Sequence, residues 1–552
     1  MLRKYFKYYF MALITFNSCQ NLDLTNPSTI SPTDVWNDPA LINMYVNHLY
    51  IQLPGWSQNL YNNISDEARD NFPGSAPNNV IVGQWNETDN PMDNWSNSYK
   101  YIRVANDFLQ NIQNATVSES VKAKSTAETK FIRALLYFNL LKRYGGIPLV
   151  TTPQKLNDDL SIPRNSTEEC FQFIINEMND IVKDLPRDAE RGKITKGAAL
   201  SLKARTLLYY ASPLYNESND VSRWQKAADA AKEVINLNKY DLYPNLRQLW
   251  LDMSANHNEI ILEKQYGMPN VSHGWDCAVK PLNLANGDAG HCSPLQELVN
   301  AFPMRNGKLI TEAGSGYDPT NPYAGRDDRF YADIAYNQSV ISGMQGGTLN
   351  NNYVLQIYRG GNDYNNPQGN PQWQIYTTYT GYYTIKAVNP DNKVYGYWYG
   401  STQPWIEFRY AEILLDFSEA QNEATGPTTE VYNAMNKLRR RAGITNDLPT
   451  NMSKNEMRSL IRNERYIELC FEHHRYWDLR RWKLAETMLH NRQYTGVVIT
   501  RENNGTFTYR YQPVEVQPLK FETKMYFMPI PMNELSKNGK LIQNPGWTTN
   551  NK

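Results

Sequence analysis

Residues Arg462 to Trp482 read RNERYIELCFEHHRYWDLRRW, a run that sets charges and aromatic rings at helical spacing more densely than a routine surface helix does. Ser453 and Glu456 precede it as a capping-box pair, so a helix is expected to begin just before Asn455. Leu460, Ile461, Glu464, Ile467, Glu468 and Phe471 then fall on neighbouring faces by the three-and-four rule. Glu464, Glu468 and Glu472 make an i, i+4 row of carboxylates, with Arg462, Arg465, Arg475, Arg480 and Arg481 as candidate partners. Three carboxylates so spaced could serve acid–base chemistry. The reading adopted is structural: an ion-pair lattice that ties one helix to its neighbours.

Similar helical signals recur on both sides of an irregular middle. Ser125 and Glu128 have capping-box spacing and are followed by Phe131, Leu135, Phe138 and Leu141, with a stop at Gly145-Gly146. Ser166 and Glu169 repeat the device ahead of Phe171, Ile174, Met178 and Ile181. Thr195 opens a helix rich in small residues, and Trp224, Ala227, Ala228, Ala231 and Ile235 mark another. Paired helices of this length are the repeat unit of tetratricopeptide-like solenoids, although clean self-similarity is missing here. From about Tyr240 to Pro404 the periodicity fades into Gly, Asn, Pro and Tyr. Disordered linkers are poor in aromatics, so these segments read as ordered loops and short strands, where binding residues tend to sit. Helices resume with Phe408, Ala411 and Leu415. The expected organisation is 1–18 signal peptide, 19–240 helical, 241–404 loop-rich and ligand-binding, and 405–552 helical.

Arg3, Lys4 and Lys7 form a basic n-region, and Tyr8 to Phe16 a short apolar stretch. That stretch cannot cross a bilayer core of about 30 Å as a helix, so it reads as a signal peptide. Ser18 stands directly before Cys19, as in a bacterial lipobox, with Phe16 where Leu is usual. Cys19 is thus the expected lipidation site. At about 0.8 kcal/mol per buried methylene, two or more acyl chains anchor stably where one does not. Lys plus Arg equal Asp plus Glu at 56 each, so no net field favours nucleic acid. Cys170 and Cys470 read as buried thiols, and spacing leaves open whether Cys277 and Cys292 pair. The 38 Tyr and 13 Trp against 17 Phe favour flat, apolar surfaces that can also hydrogen-bond, as in stacking on sugar rings or gripping peptides.

Taken together, the motifs resemble the SusD/RagB family of Bacteroidetes outer-membrane nutrient-binding lipoproteins. Leu22-Asp23-Leu24 and Pro27 resemble its mature N-terminus; Trp95, Tyr99, Ile102 and Asn106 its first long helix; Phe131 to Ala134 through Tyr144 to Leu149 its "RA…YF.L…YGG.P" run. Pro294 through Gly307, Arg409 to Glu412 with Glu419-Ala420, Pro529 to Pro531 and Gln543 to Trp547 continue the series in order, and Arg462 to Trp482 is similar to its signature. His473-His474 departs from the family, which more often has a glycine there.

The resemblance implies an all-α fold of tetratricopeptide-like stacked helix pairs with long aromatic-rich loops and a few short strands. It also implies a lipid-anchored protein exposed on the outer membrane that binds an oligosaccharide or polysaccharide and delivers it to a SusC-like TonB-dependent transporter. A RagB-like peptide-binding importer subunit is the second reading and a surface glycoside hydrolase the third. No catalytic residues, cofactor or metal are expected. The chain has no Gly-x-Ser-x-Gly elbow, His-Glu-x-x-His pair or phosphate-binding glycine loop, and adjacent His473 and His474 cannot form an i, i+4 metal pair. The family's binding residues come from loops before the first long helix and from mid-chain. By position these point to Trp56, Trp85, Trp275 and Trp398, with Asn86, Asp276 and His291 as polar helpers. On that placement, Trp85→Ala or Trp275→Ala weakens binding without appreciably lowering the melting temperature.

Overall fold

The computed structural model describes residues 32–56, 60–155, 157–254, 257–285, 289–345, 348–364, 377–392 and 400–547. The expected signal segment, Cys19 and Trp398 lie outside the described residues.

Local capping chemistry starts most of the long helices. Helix α1 (Pro39–Tyr50) begins at Asp38, whose carboxylate accepts from Ala40 N. Helices α2 (Trp95–Asn111) and α3 (Glu119–Tyr144) follow. Ser166 and Glu169 close a reciprocal box on α4 (Thr167–Ile181), and Thr195 caps α5 (Lys196–Ala211). Asp220 caps α6 (Val221–Ile235). The expectation for Ser125 and Glu128 is corrected. Extended Ser118 starts α3 seven residues earlier, and Ser125 and Glu128 are buried inside the helix rather than capping it. Helix α3 ends where expected, at Gly145, whose φ of 73° only glycine adopts without strain.

These helices stack in sequence order, α2 on α3, α3 on α4, α4 on α5 and α5 on α6. Helix α6 then packs on α7 (Tyr410–Thr425), skipping the whole irregular middle, and α7 meets α8 (Thr429–Arg441) and α9 (Lys454–Glu468). Phe131, Leu202, Ala231, Leu415, Met435 and Met457 belong to one continuous core, so the two helical blocks form one scaffold. The fold is all-α with stacked helix pairs, as the sequence led us to expect. Its sheets, among the described residues, are two-stranded antiparallel ladders, such as Ile260–Lys264 with Trp405–Arg409 and Thr495–Arg501 with Phe507–Pro513.

The charged run is not one helix. Helix α9 stops at Glu468 and α10 (Arg475–Arg481) starts afresh, with Phe471 (φ 63°) and His473 (φ 62°) in the left-handed region between them. That backbone explains why a glycine suits position 473. The lattice is present, but its partners differ from the expected ones. Glu464 meets Arg329 and Arg439, each at 2.6 Å; Glu472 meets Arg409 at 2.7 Å and Lys386 at 2.8 Å. Glu468 sits among Arg329, Arg409 and Arg441. The arginines of the run reach other acids instead: Arg465 to Asp416 and Asp478, Arg475 to Asp66, Arg481 to Glu419. Arg462 lies over the Trp482 ring, and Arg480 donates to the Tyr526 carbonyl. Burial alone would raise the Glu464 carboxyl, but Arg329 and Arg439 outweigh it and hold it below the usual range. Glu419 is likewise pulled down to about 2, Arg481 overriding burial.

Candidate functional site

Strand Ala68–Arg69 pairs with Ser293–Pro294 and delivers the next residues, Asp70 and Asn71, to the wall of a cleft of about 390 Å³. Arg69 anchors that corner from beneath. Its Nε donates to Glu515 Oε1 at 3.1 Å, and its Nη1 donates to the Ser65 and Ala68 carbonyls. Four stretches far apart in the chain meet here: 69–84, 289–294, 377–380 and 514–519. Tyr379 N donates to Ser293 Oγ, the Thr380 hydroxyl to the Pro294 carbonyl and the Tyr379 hydroxyl to the Val514 carbonyl. Burial pushes the Tyr379 phenol up, so it stays protonated as a donor at neutral pH.

The lining is unlike a hydrophobic drug pocket. Asn71, Asn78, Asn79, Gln84 and Gln517 bring side-chain amides, of which Asn71 and Asn78 commit their amide hydrogens to main-chain carbonyls, and Asp70 and Glu515 bring acceptors. Tyr379, 41% exposed, supplies an accessible ring, and Phe72, also 41% exposed, stands between the lining residues Asn71 and Pro73. Planar polar groups beside exposed rings can hold a molecule with many hydroxyls and flat apolar faces. Gly290 permits this geometry. Its φ is 70°, and a Cβ there would stand 2.7 Å from Asn71 Nδ2 and 3.0 Å from the Thr377 carbonyl oxygen.

The structure distributes the sequence-derived candidates over three places. Trp56, Trp275 and Asp276 come together, but not at the cleft. The Trp56 and Trp275 rings stack at 4.5 Å, Trp405 meets Trp56 edge-on, and Trp56 Nε1 donates to the Gln403 carbonyl. Trp275 is 3% exposed and its Nε1 donates to the Lys386 carbonyl. Asp276 is buried and accepts from Asn389 N, Asn392 Nδ2, the Ser401 hydroxyl and Gln403 Nε2, an internal clamp on the loop around it. His273 completes this cluster, burial pushing its imidazole down to about 4. Trp85 is 5% exposed and packs on Trp547 at 4.8 Å, while Asn86 next to it is exposed and closes its own turn with Thr88 and Asp89. Trp85 and Trp275, expected as ligand platforms, are both buried in this structure, Trp85 against Trp547 and Trp275 against Trp56. His291 adjoins the cleft, its Nδ1 lying 2.9 Å from Asp70 Oδ1.

The cleft residues that went unrecognised are Asp70, Asn71, Asn78, Asn79, Gln84, Tyr379 and Gln517. The one local signal for them is the amide-rich turn DNFPGSAPNN at 70–79, which follows a strand and precedes the first long helix. Cys292 is a buried free thiol, so it is not paired to Cys277. Cys170 and Cys470 are buried free thiols, as expected.

Residues 258–547 match the SusD family, and residues 20–208 match a family described as starch-binding associating with outer membrane. A SusD-like protein from Bacteroides fragilis superimposes with a TM-score of 0.79 at 29% identity, covering 94% of this chain and 99% of its own. "SusD-like protein P2" of Formosa agariphila is 25% identical over 586 residues, covering 99% of this chain and 100% of its own. "Starch-binding protein SusD" of Bacteroides thetaiotaomicron is 32% identical over 187 residues, 32% of each chain. The scaffold, the order of its motifs and the family match over more than half its length agree: this chain belongs to the SusD family, whose members include starch- and glycan-binding proteins of the outer membrane.

Proposed function

We propose that this protein captures an oligosaccharide or polysaccharide at the cell surface, in the cleft between Asn71, Tyr379 and Gln517, and passes it to a SusC-like TonB-dependent transporter. The carrying observation is the lining: side-chain amides set around an exposed tyrosine ring on a rigid, ion-paired scaffold. Amides satisfy the mixed donor and acceptor demands of sugar hydroxyls, and the ring offers a face to the C–H surface of a pyranose. The family's association with starch binding and the outer membrane supports the same reading. Lipidation at Cys19 holds the protein at the membrane surface. Its role is binding, without bond cleavage.

Affinity electrophoresis against a polysaccharide panel, with chromatography of the products, tests this. The expected result is retardation by at least one glycan with no fragments released, and weaker retardation in Tyr379→Ala. Retardation unchanged in a folded Tyr379→Ala protein contradicts the placement of the site. Binding of peptides and of no glycan contradicts the ligand class.

A further inference from the structure

The strand Phe507–Pro513 sets Phe507, Tyr509 and Tyr511 on one face by its two-residue period. Across the ladder Tyr509 stands opposite Ile499 and Tyr511 opposite Val497. Those two partners are buried, whereas Phe507 and Tyr509 are half-buried and Tyr511 is 43% exposed. The aromatic row therefore starts on the core and runs out past its edge. Its rings are held in place from beneath: Tyr509 meets the buried Tyr323 ring at 5.6 Å and 89°, and Phe507 meets Tyr358 at 5.4 Å. Burial, and then the neighbouring Tyr317 phenol, push the Tyr509 and Tyr511 phenols up, so both stay protonated as donors at neutral pH. Fixed, partly exposed rings that also carry hydroxyls suit a ligand with apolar faces and many hydroxyls.

This row leads into the cleft along the chain. Pro513 continues the ladder opposite Thr495, and Val514 N donates to the Tyr494 carbonyl, so the backbone stays extended up to the cleft-lining Val514. At a rise of about 3.4 Å per residue, Tyr511 lies only about 10 Å along the strand from Val514. Exposed Pro513 stands between them, with no charged side chain in the interval. One loop also serves both places. Tyr379 opens on the cleft, and three residues on, buried Tyr382 packs edge-on to Tyr323 beneath the row. The cleft itself, about 390 Å³, is near the small end of ligand pockets, so a polysaccharide seated in it must continue over neighbouring surface.

We propose that Phe507, Tyr509 and Tyr511, with Tyr317 beside them, form a second glycan-binding platform that continues the cleft and gives the protein its hold on extended chains. This rests on the reading of the cleft as a glycan site. Calorimetric titration of the full mature chain tests it, with short and long members of the malto-, cello-, xylo-, manno- and galacto-oligosaccharide series as probes. In at least one series the long member is expected to bind at least about ten-fold more tightly than the short one. The double variant Tyr509→Ala/Tyr511→Ala is expected to lose about ten-fold for the long member and less than about two-fold for the short one. Tyr379→Ala is expected to weaken both by a similar factor. Unchanged long-chain affinity in the folded double variant overturns the inference, and the cleft reading survives it if Tyr379→Ala still weakens binding. Long-chain binding that falls in the double variant but ignores Tyr379→Ala overturns the continuity with the cleft. Failure of every probe to bind the wild-type protein overturns both readings. Should the double variant fail to fold, Tyr511→Ala, at the most exposed ring of the row, decides the matter: a loss of about three-fold for the long member alone is expected, and no loss overturns the platform.

Discussion

The ion-pair lattice around Glu464, Glu468 and Glu472 and the cleft around Asn71 are both polar, yet the lattice turns its charges on one another inside the fold and the cleft turns polar side chains toward open space. Each lattice carboxylate meets two or three cations drawn from other parts of the chain. In the cleft, side-chain amides border open space and the Tyr379 ring is exposed. A buried ion-pair network stiffens a scaffold, whereas polar groups beside open space offer bonds to something else. Density of charged residues therefore identifies the frame, and side-chain amides beside an exposed ring mark the candidate site.

Acid should break the frame most strongly. Glu419 is pulled to about 2 by Arg481 against its burial, so its folded value lies below its unfolded one. Its contribution is present above about pH 4.5 and is lost as pH falls toward 2, on the order of 3 kcal/mol by linkage. Glu464, Glu468 and Glu472 shift in the same direction. His473, pushed down to about 3 by burial, also destabilises the fold progressively as pH drops below 6.5. Asp333, pushed up to about 6 by burial, opposes them between pH 6 and 4. Melting scans should thus show a steep loss below about pH 4, and a flat profile from pH 5 to 3 contradicts the lattice account.

Next in size are single lesions of the frame. Glu468→Gln leaves Arg329, Arg409 and Arg441 short of a buried counter-charge and should cost about 3–5 kcal/mol in denaturant unfolding. Trp275→Ala should cost about 3 kcal/mol as a core truncation, reversing the expectation drawn from sequence. Its melting temperature is the check, and an unchanged value would return Trp275 to the candidate site. Tyr379→Ala should do the opposite, leaving the melting temperature within a few degrees while weakening glycan affinity by about 1 kcal/mol, the order of one aromatic contact. At the small end, Arg440→Ala removes an exposed pair with Asp447 and should move stability by less than about 0.5 kcal/mol.

Local chemistry was legible in the sequence and long-range assembly was not. The boxes at Ser166 and Ser453 and the cap at Thr195 involve residues three apart and are found where expected. Ser125 and Glu128 share that spacing but sit at the seventh and tenth positions of a helix, where the same pair faces inward. The tyrosine surplus misdirects in a similar way. Tyr99, Tyr137 and Tyr466 send their hydroxyls to the carbonyls of Pro148, Val150 and Asp66, which lets a polar-tipped ring serve as core. The lattice reading of the glutamate row survived, but its partners come from residues 329 to 441 rather than from the same run, and no local period encodes that. The cleft has the same character: Asp70 and Gln517 are neighbours only in the fold.

The central claim is that the frame and the site are separate, and one experiment addresses it directly: titration of a bound neutral glycan into wild-type protein and Gln517→Trp, with melting temperatures recorded alongside. Binding abolished at an unchanged melting temperature is the predicted result. Wild-type affinity in the folded variant would contradict it and move the site away from the cleft.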